Sequence, residues 1–161
     1  REPVKGRSRA DIIIVTKCPE DIDDEAMNEM SDSLRTSPGQ SVFFSTMKYG
    51  ELIAFHDPAC HRSIASINHD TYLIIATGIA SPGPLVETLS AYTTHIEQFS
   101  FGDHHNFTEN DITAISRAYA RSGSDDCLIV VTEKDAARLR SMEMAEELRK
   151  AGVQAAILTS T

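Results

Sequence analysis

The 161-residue chain has no uninterrupted apolar run near the roughly 18 residues that a membrane-spanning helix needs. Its start carries no signal-peptide pattern, and it begins without Met, as an excised piece or a processed product does. The three cysteines, Cys18, Cys60 and Cys127, lie far apart and form no CxxC pair. That spacing argues against a disulfide frame or a zinc site and fits reduced thiols in a cytosol-facing protein. Basic residues are scarce: the formal net charge is -9, which argues against a nucleic-acid surface and against general adhesion to anionic lipid. The densest positive stretch is Arg1, Lys5, Arg7 and Arg9, which leaves room for a local basic site. Neither a GxxxxGK[ST] loop nor a GxGxxG turn occurs, so the chain by itself has no standard cradle for a nucleoside triphosphate. Aromatics make up only 6%, yet 41% of the residues are apolar, enough for an ordinary core.

What is present is an alternation of buried-type strands and amphipathic helices. Asp11 to Thr16 (DIIIVT) reads as a strand buried on both faces. The acidic stretch from about Pro19 to Leu34 reads as a helix, with Ala26, Met27, Met30 and Leu34 near one face, and Ser37-Pro38-Gly39 breaks it. Ser41 to Thr46 and Glu51 to Phe55 read as strands joined by a Gly-containing loop, a hairpin signature. His56 to His69 shows no period and reads as loop. A second series begins with the strand at Tyr72, followed by a helix with Leu85, Leu89 and Tyr92 at helical spacing. His95 to Phe101 is a strand, and Thr108-x-x-Asp111 approximates a capping box for a helix striped by Ile112, Ile115 and Tyr119. Cys127 to Val131 is a strand, Glu133 to Ala151 a helix and Val153 to Leu158 a last strand. The pattern predicts a mainly parallel α/β layer fold.

Ligands of open α/β sheets gather outside the carboxyl ends of the strands. Three predicted strands end in polar residues there: Thr77-Gly78, Gly102-Asp103-His104-His105 and Thr132-Glu133-Lys134-Asp135. If these strands are parallel neighbours, the three tips share one edge. In Asp103-His104-His105 the carboxylate can orient one imidazole for acid/base work; a tripeptide alone supplies only part of a metal shell, and no DxD tip precedes it to complete one. The plain alternative is that Asp103 caps a turn while both histidines pack or face water. Thr132 and the acids after it suit a helix start, which leaves Lys134 as the residue without a structural reason. Thr77-Gly78 is a weak anion-binding signal, Lys17 sits at another strand tip that reads as plain loop, and His56, His61 and His69 have no spacing partners.

In order, REP, RADIIIVTKCP, VFFSTMKYG, TGIASP, FGDHHNFTENDI and VVTEKDAARL resemble the C-terminal part of the tetraacyldisaccharide 4'-kinases. The resemblance covers nearly the whole chain. It implies a kinase of lipid A biosynthesis that uses ATP and Mg²⁺ on a disaccharide precursor, peripheral at the cytoplasmic face of the Gram-negative inner membrane. It implies a P-loop-kinase-related core, with residues 1–45 its end, 46–56 a hairpin linker and 57–161 a smaller α/β lobe. The phosphate loop, Mg²⁺ residues and catalytic aspartate of the family lie upstream of this segment. The resemblance makes His104 the first candidate to support that aspartate, with Asp103 and His105 beside it, and Thr77, Thr132 and Lys134 as weaker substrate contacts. A free-standing module that binds a phosphorylated ligand, and less so a metal phosphoesterase on Asp103-His104-His105, are the alternatives.

Overall fold

The structure is a computed structural model that describes residues 4–103, 105–140 and 155–160. The chain divides into two compact units, Arg1–Lys48 and Tyr49–Thr161.

In the first unit, strand β1 (Ile12–Cys18) runs into helix α1 (Asp24–Leu34), which crosses back to strand β2 (Ser41–Thr46), parallel to β1. The helix begins at Asp24 rather than near Pro19, because Asp23 is its N-cap and accepts the Ala26 N–H at 2.8 Å. It ends where Arg35 turns left-handed with φ 48°. The two-face burial expected of DIIIVT is not found. Ile12, Ile14 and Phe43 are 59%, 60% and 54% exposed, because β2 is the one strand paired to β1 among the described residues and that face has no cover.

The second unit is built on a six-stranded sheet of order β4-β3-β8-β7-β5-β6. Its strands are β3 (Tyr49–Ala54), β4 (His61–Ser63), β5 (Tyr72–Thr77), β6 (Ile96–Ser100), β7 (Cys127–Thr132) and β8 (Ala155–Ser160). β6, β5, β7 and β8 are mutually parallel, whereas β3 is antiparallel to both β8 and β4. The sheet is therefore mixed. The predicted hairpin does not form: β2 pairs with β1, while β3 pairs with β4 and β8, where Leu52 is fully buried. Burying Leu52 in a wide sheet outweighs the local pairing that loop spacing favours. It also turns part of the His56–His69 segment, expected to be loop, into β4.

The unbroken apolar runs of β5 and β7 reflect burial on both faces. Ile74, Ala76, Ile129 and Val131 pack with Ile112, Ile115 and Ala118 of helix α3 (Glu109–Ser122) and with Ala136 and Leu139 of helix α4 (Glu133–Arg140). Leu73, Ile75, Leu128 and Val130 pack on the other side with Leu85 and Leu89 of helix α2 (Gly83–Ser90). The expected capping box of α3 is present, Thr108 with Asp111, and Gly123 closes the helix at φ 62°. The predicted helix beyond Arg140 lies outside the described residues. Among the described residues no helix is long and apolar enough to cross a membrane.

Candidate active site at the carboxyl edge of the sheet

Because β6, β5 and β7 are adjacent and parallel, their three polar tips lie along one edge, as the strand pattern predicts. The β6 tip is tied to the β5 tip by the Phe101 N–H, which donates to the Thr77 carbonyl at 2.9 Å. A tight turn follows, closed by the His105 N–H donating to Gly102 O at 3.0 Å. Gly78 is at the crossing point. A Cβ placed there would lie 3.3 Å from Asp135 Oδ1, 3.3 Å from His105 Cβ and 3.4 Å from Gly102 O, so a side chain on this tip would press on the other two.

His105 is the organised imidazole of the turn. Its ring stacks on Phe101 with centroids 4.6 Å apart and planes 10° from parallel, and Phe107 meets it edge-on at 5.5 Å. Its Nε2 lies 2.8 Å from Asp111 Oδ2. The same oxygen accepts the Thr108 N–H at 2.8 Å and the Thr108 hydroxyl at 2.9 Å. Burial acts to raise the Asp111 pKa, but the hydrogen bonds from His105 and Thr108 outweigh it and hold the carboxyl below its ordinary value.

The carboxylate seen on His105 is not one that the Asp103-His104-His105 spacing points to. Asp103 is an exposed turn residue, and the carboxylate on His105 is Asp111, six residues on, because the turn folds the ring back over the start of α3. His104 lies outside the described residues. Thr77 is buried and meets the β6 tip through its carbonyl. Thr132 caps α4: its hydroxyl donates to Asp135 Oδ2 at 2.7 Å and accepts the Asp135 N–H at 3.3 Å. Asp135 is fully buried and also holds Arg138 at 3.1 Å, while Arg138 reaches the Gly78 carbonyl at 3.4 Å. Lys134 is exposed at this edge and makes no ion pair among the described residues.

Sequence reasoning assigned Asp111 to a helix cap alone and gave Asp135 and Arg138 no partners. The one signal for Asp111 was that its capping box starts three residues after His105, at the same end of the sheet. No group of three or more potential metal ligands occurs among the described residues.

A family model described as tetraacyldisaccharide-1-P 4'-kinase matches residues 1–160. The chain belongs to the tetraacyldisaccharide-1-P 4'-kinase family. Similar proteins named tetraacyldisaccharide 4'-kinase occur in Phocaeicola vulgatus, 38% identical over 93% of this chain and 41% of that protein, and in Bacteroides thetaiotaomicron, 39% identical over 92% of this chain and 41% of that protein. The Parabacteroides distasonis protein of the same name is 41% identical over 88% of this chain and 39% of its own length. The chain thus spans about two fifths of the curated 4'-kinases it matches. No solved structure matches it significantly.

Proposed function

We propose that this chain is the C-terminal portion of a lipid A kinase that moves the ATP γ-phosphate to the 4'-hydroxyl of a tetraacyldisaccharide 1-phosphate, and that the portion is inactive alone. Family membership and the shorter length support this reading. So does the uncovered Ile12/Ile14/Phe43 face, since parallel strands normally have both faces covered. In this reading residues 1–45 end a P-loop-related core, 46–56 connect and add β3 to the sheet of the small lobe, and 57–161 form most of that lobe. ATP and Mg²⁺ belong to residues outside this chain, which has no phosphate loop; when bound they supply the phosphoryl group and neutralise its charge. The complete protein sits peripherally on the cytoplasmic face of the inner membrane of a Gram-negative cell.

The observation that carries the reading is the convergence of the β6, β5 and β7 tips on Gly78, with a carboxylate-held imidazole among them. Removal of the acceptor hydroxyl's proton needs a base, and an imidazole beside that base can orient it or share its proton. His104 and His105, with Asp103 in the same turn, take this supporting role. Lys134 meets an acidic group of the substrate. Thr77 and Thr132 shape the edge from beneath, since one is buried and the other is engaged as a cap.

The test is phosphate transfer to tetraacyldisaccharide 1-phosphate by the full-length protein, with His104→Ala and His105→Ala alongside. A proton-transfer role predicts a fall in turnover of about 10²- to 10⁴-fold in at least one variant. Unchanged turnover in both, with normal folding, would remove the assigned role. A full-length protein that binds phosphorylated ligands and transfers nothing would overturn the kinase reading.

A further inference from the structure

We propose that Asp111 is a positioning residue of this site: it accepts the Nε2–H of His105, fixing both the ring's flip state and the nitrogen left to exchange a proton, Nδ1. The inference rests on the reading that a histidine of the 102–105 turn assists the kinase's base.

Three contacts restrain the ring, and they do different things. Stacking on Phe101 and the edge of Phe107 set its plane. Neither ring distinguishes the two flip states, since a half-turn about Cβ–Cγ preserves that plane. Asp111 does: the half-turn would present Cε1–H to the carboxylate where Nε2–H stands at 2.8 Å, and the hydrogen bond would be lost. With Nε2 carrying the proton, Nδ1 becomes the acceptor of the neutral ring, and it has no hydrogen-bond partner among the described residues.

A capping role does not by itself account for this geometry. The cap requires the Thr108 N–H and hydroxyl on Asp111, both present, and neither needs an imidazole on the same oxygen. His105 is 29% exposed in its side chain and Asp111 21%, so the pair is shielded yet reachable from the edge. The arrangement is that of a carboxylate orienting a working histidine. The other charged groups near the ring are Asp103 in its own turn, Glu109 at the first position of α3, and Asp135 with its Arg138 across Gly78. Asp111 is in direct contact, at 2.8 Å.

The experiment uses the full-length kinase. In ¹⁵N-histidine spectra of the unmodified protein, with His105→Gln assigning the signal, the neutral ring is expected to carry its proton on Nε2. A proton on Nδ1 overturns the inference without any need for the Asp111 variants to fold. For Asp111→Asn, kcat falls roughly 10- to 100-fold, below the about 10²- to 10⁴-fold of a proton-transfer group itself. KM for ATP stays within about twofold, and the ¹⁵N spectrum shows a ring whose proton is no longer confined to Nε2. Asp111→Glu restores part of the rate. Asp126→Asn, a destabilising change at the opposite edge of the sheet, lowers the melting temperature and leaves the proton on Nε2. If His104→Ala and His105→Ala both turn over normally, the underlying reading fails and the inference with it; if His105→Ala alone does, the inference fails and the reading passes to His104. If His105→Ala is crippled while Asp111→Asn keeps the parent's turnover and its Nε2-protonated ring, the inference alone fails.

Discussion

The guanidinium of Arg62 on β4 grips the carboxylate of Asp126 just ahead of β7 through both oxygens, at 2.9 and 3.3 Å. Thr71, at the entry to β5, donates its hydroxyl to the same carboxylate at 2.6 Å. One acid thus joins an outer strand to two central ones at the amino edge of the parallel strands, away from the candidate site. The Arg62 hydrogen bond, then that of Thr71, hold the Asp126 pKa below its ordinary value against the opposing effect of burial. The folded-state pKa is depressed, so the stabilisation is present above the unfolded value and is lost as pH falls through the folded one. Asp126→Asn should therefore lower stability by about 1 kcal/mol near neutral pH, a figure discounted because both side chains are about a third exposed. Urea melts of the full-length protein from pH 7 to pH 3 should show the variant and the parent converging in acid. A gap that widens in acid would contradict the assignment.

Gly78→Ala tests the crossing of the strand tips. Two of the three atoms a Cβ would crowd are held from behind, Asp135 Oδ1 by Arg138 and His105 by its stack on Phe101. Neither can give freely, so the substitution should cost about 1–3 kcal/mol, as overpacking does. It should also depress kcat more than KM, because the atom displaced belongs to His105. A melting temperature and turnover equal to the parent's would show that the tips are not interlocked.

Thr132 and Lys134 are two residues apart and should behave in opposite ways. Thr132→Ala removes a helix cap and should cost about 1 kcal/mol, while Thr132→Ser keeps the hydroxyl and should cost far less. Lys134 is exposed and unpaired among the described residues, so Lys134→Ala should change stability by less than about 0.5 kcal/mol. If Lys134 meets the substrate's acidic group, the same variant raises KM for the lipid and flattens its dependence on added salt, because the screened attraction is gone. An unaltered KM would remove Lys134 from the site.

How far the site could be read from sequence follows from which interactions are local. The strands β5 and β7, the α3 capping box and the shared edge of the tips were legible, because burial periodicity and the Thr108–Asp111 spacing are local signals. The partners within the edge were not. Asp111 reaches His105 through the fold of a turn, and Arg138 reaches Gly78 across 60 positions, distances at which no spacing rule operates. The hairpin expectation failed for the same reason: β3 lies near β2 in sequence, but Leu52 is buried by pairing with β8, far along the chain.

The first unit carries the last prediction. β1 and β2 pair in register, Ile12 opposite Ser41 and Ile14 opposite Phe43, so Ile12, Ile14 and Phe43 share a face. Their neighbours Ile13, Val15, Val42 and Phe44 are half-buried, so the contrast between the two faces follows the pleat and is not fraying of the strands. If the longer protein covers that face as a continuous parallel sheet would, Ile14 becomes a core residue there, and burying one such side chain is worth about 1.5–3 kcal/mol. Ile14→Asp in the full-length kinase should then cost at least that much and cut the yield of folded protein. The control is Asn28→Asp, an exposed residue of α1, which carries the same new charge without losing an apolar side chain. Thermal melts of the two variants decide the matter: a markedly lower melting temperature for Ile14→Asp supports a covered face, and equal melting temperatures would mean that the face stays open to water in the whole enzyme.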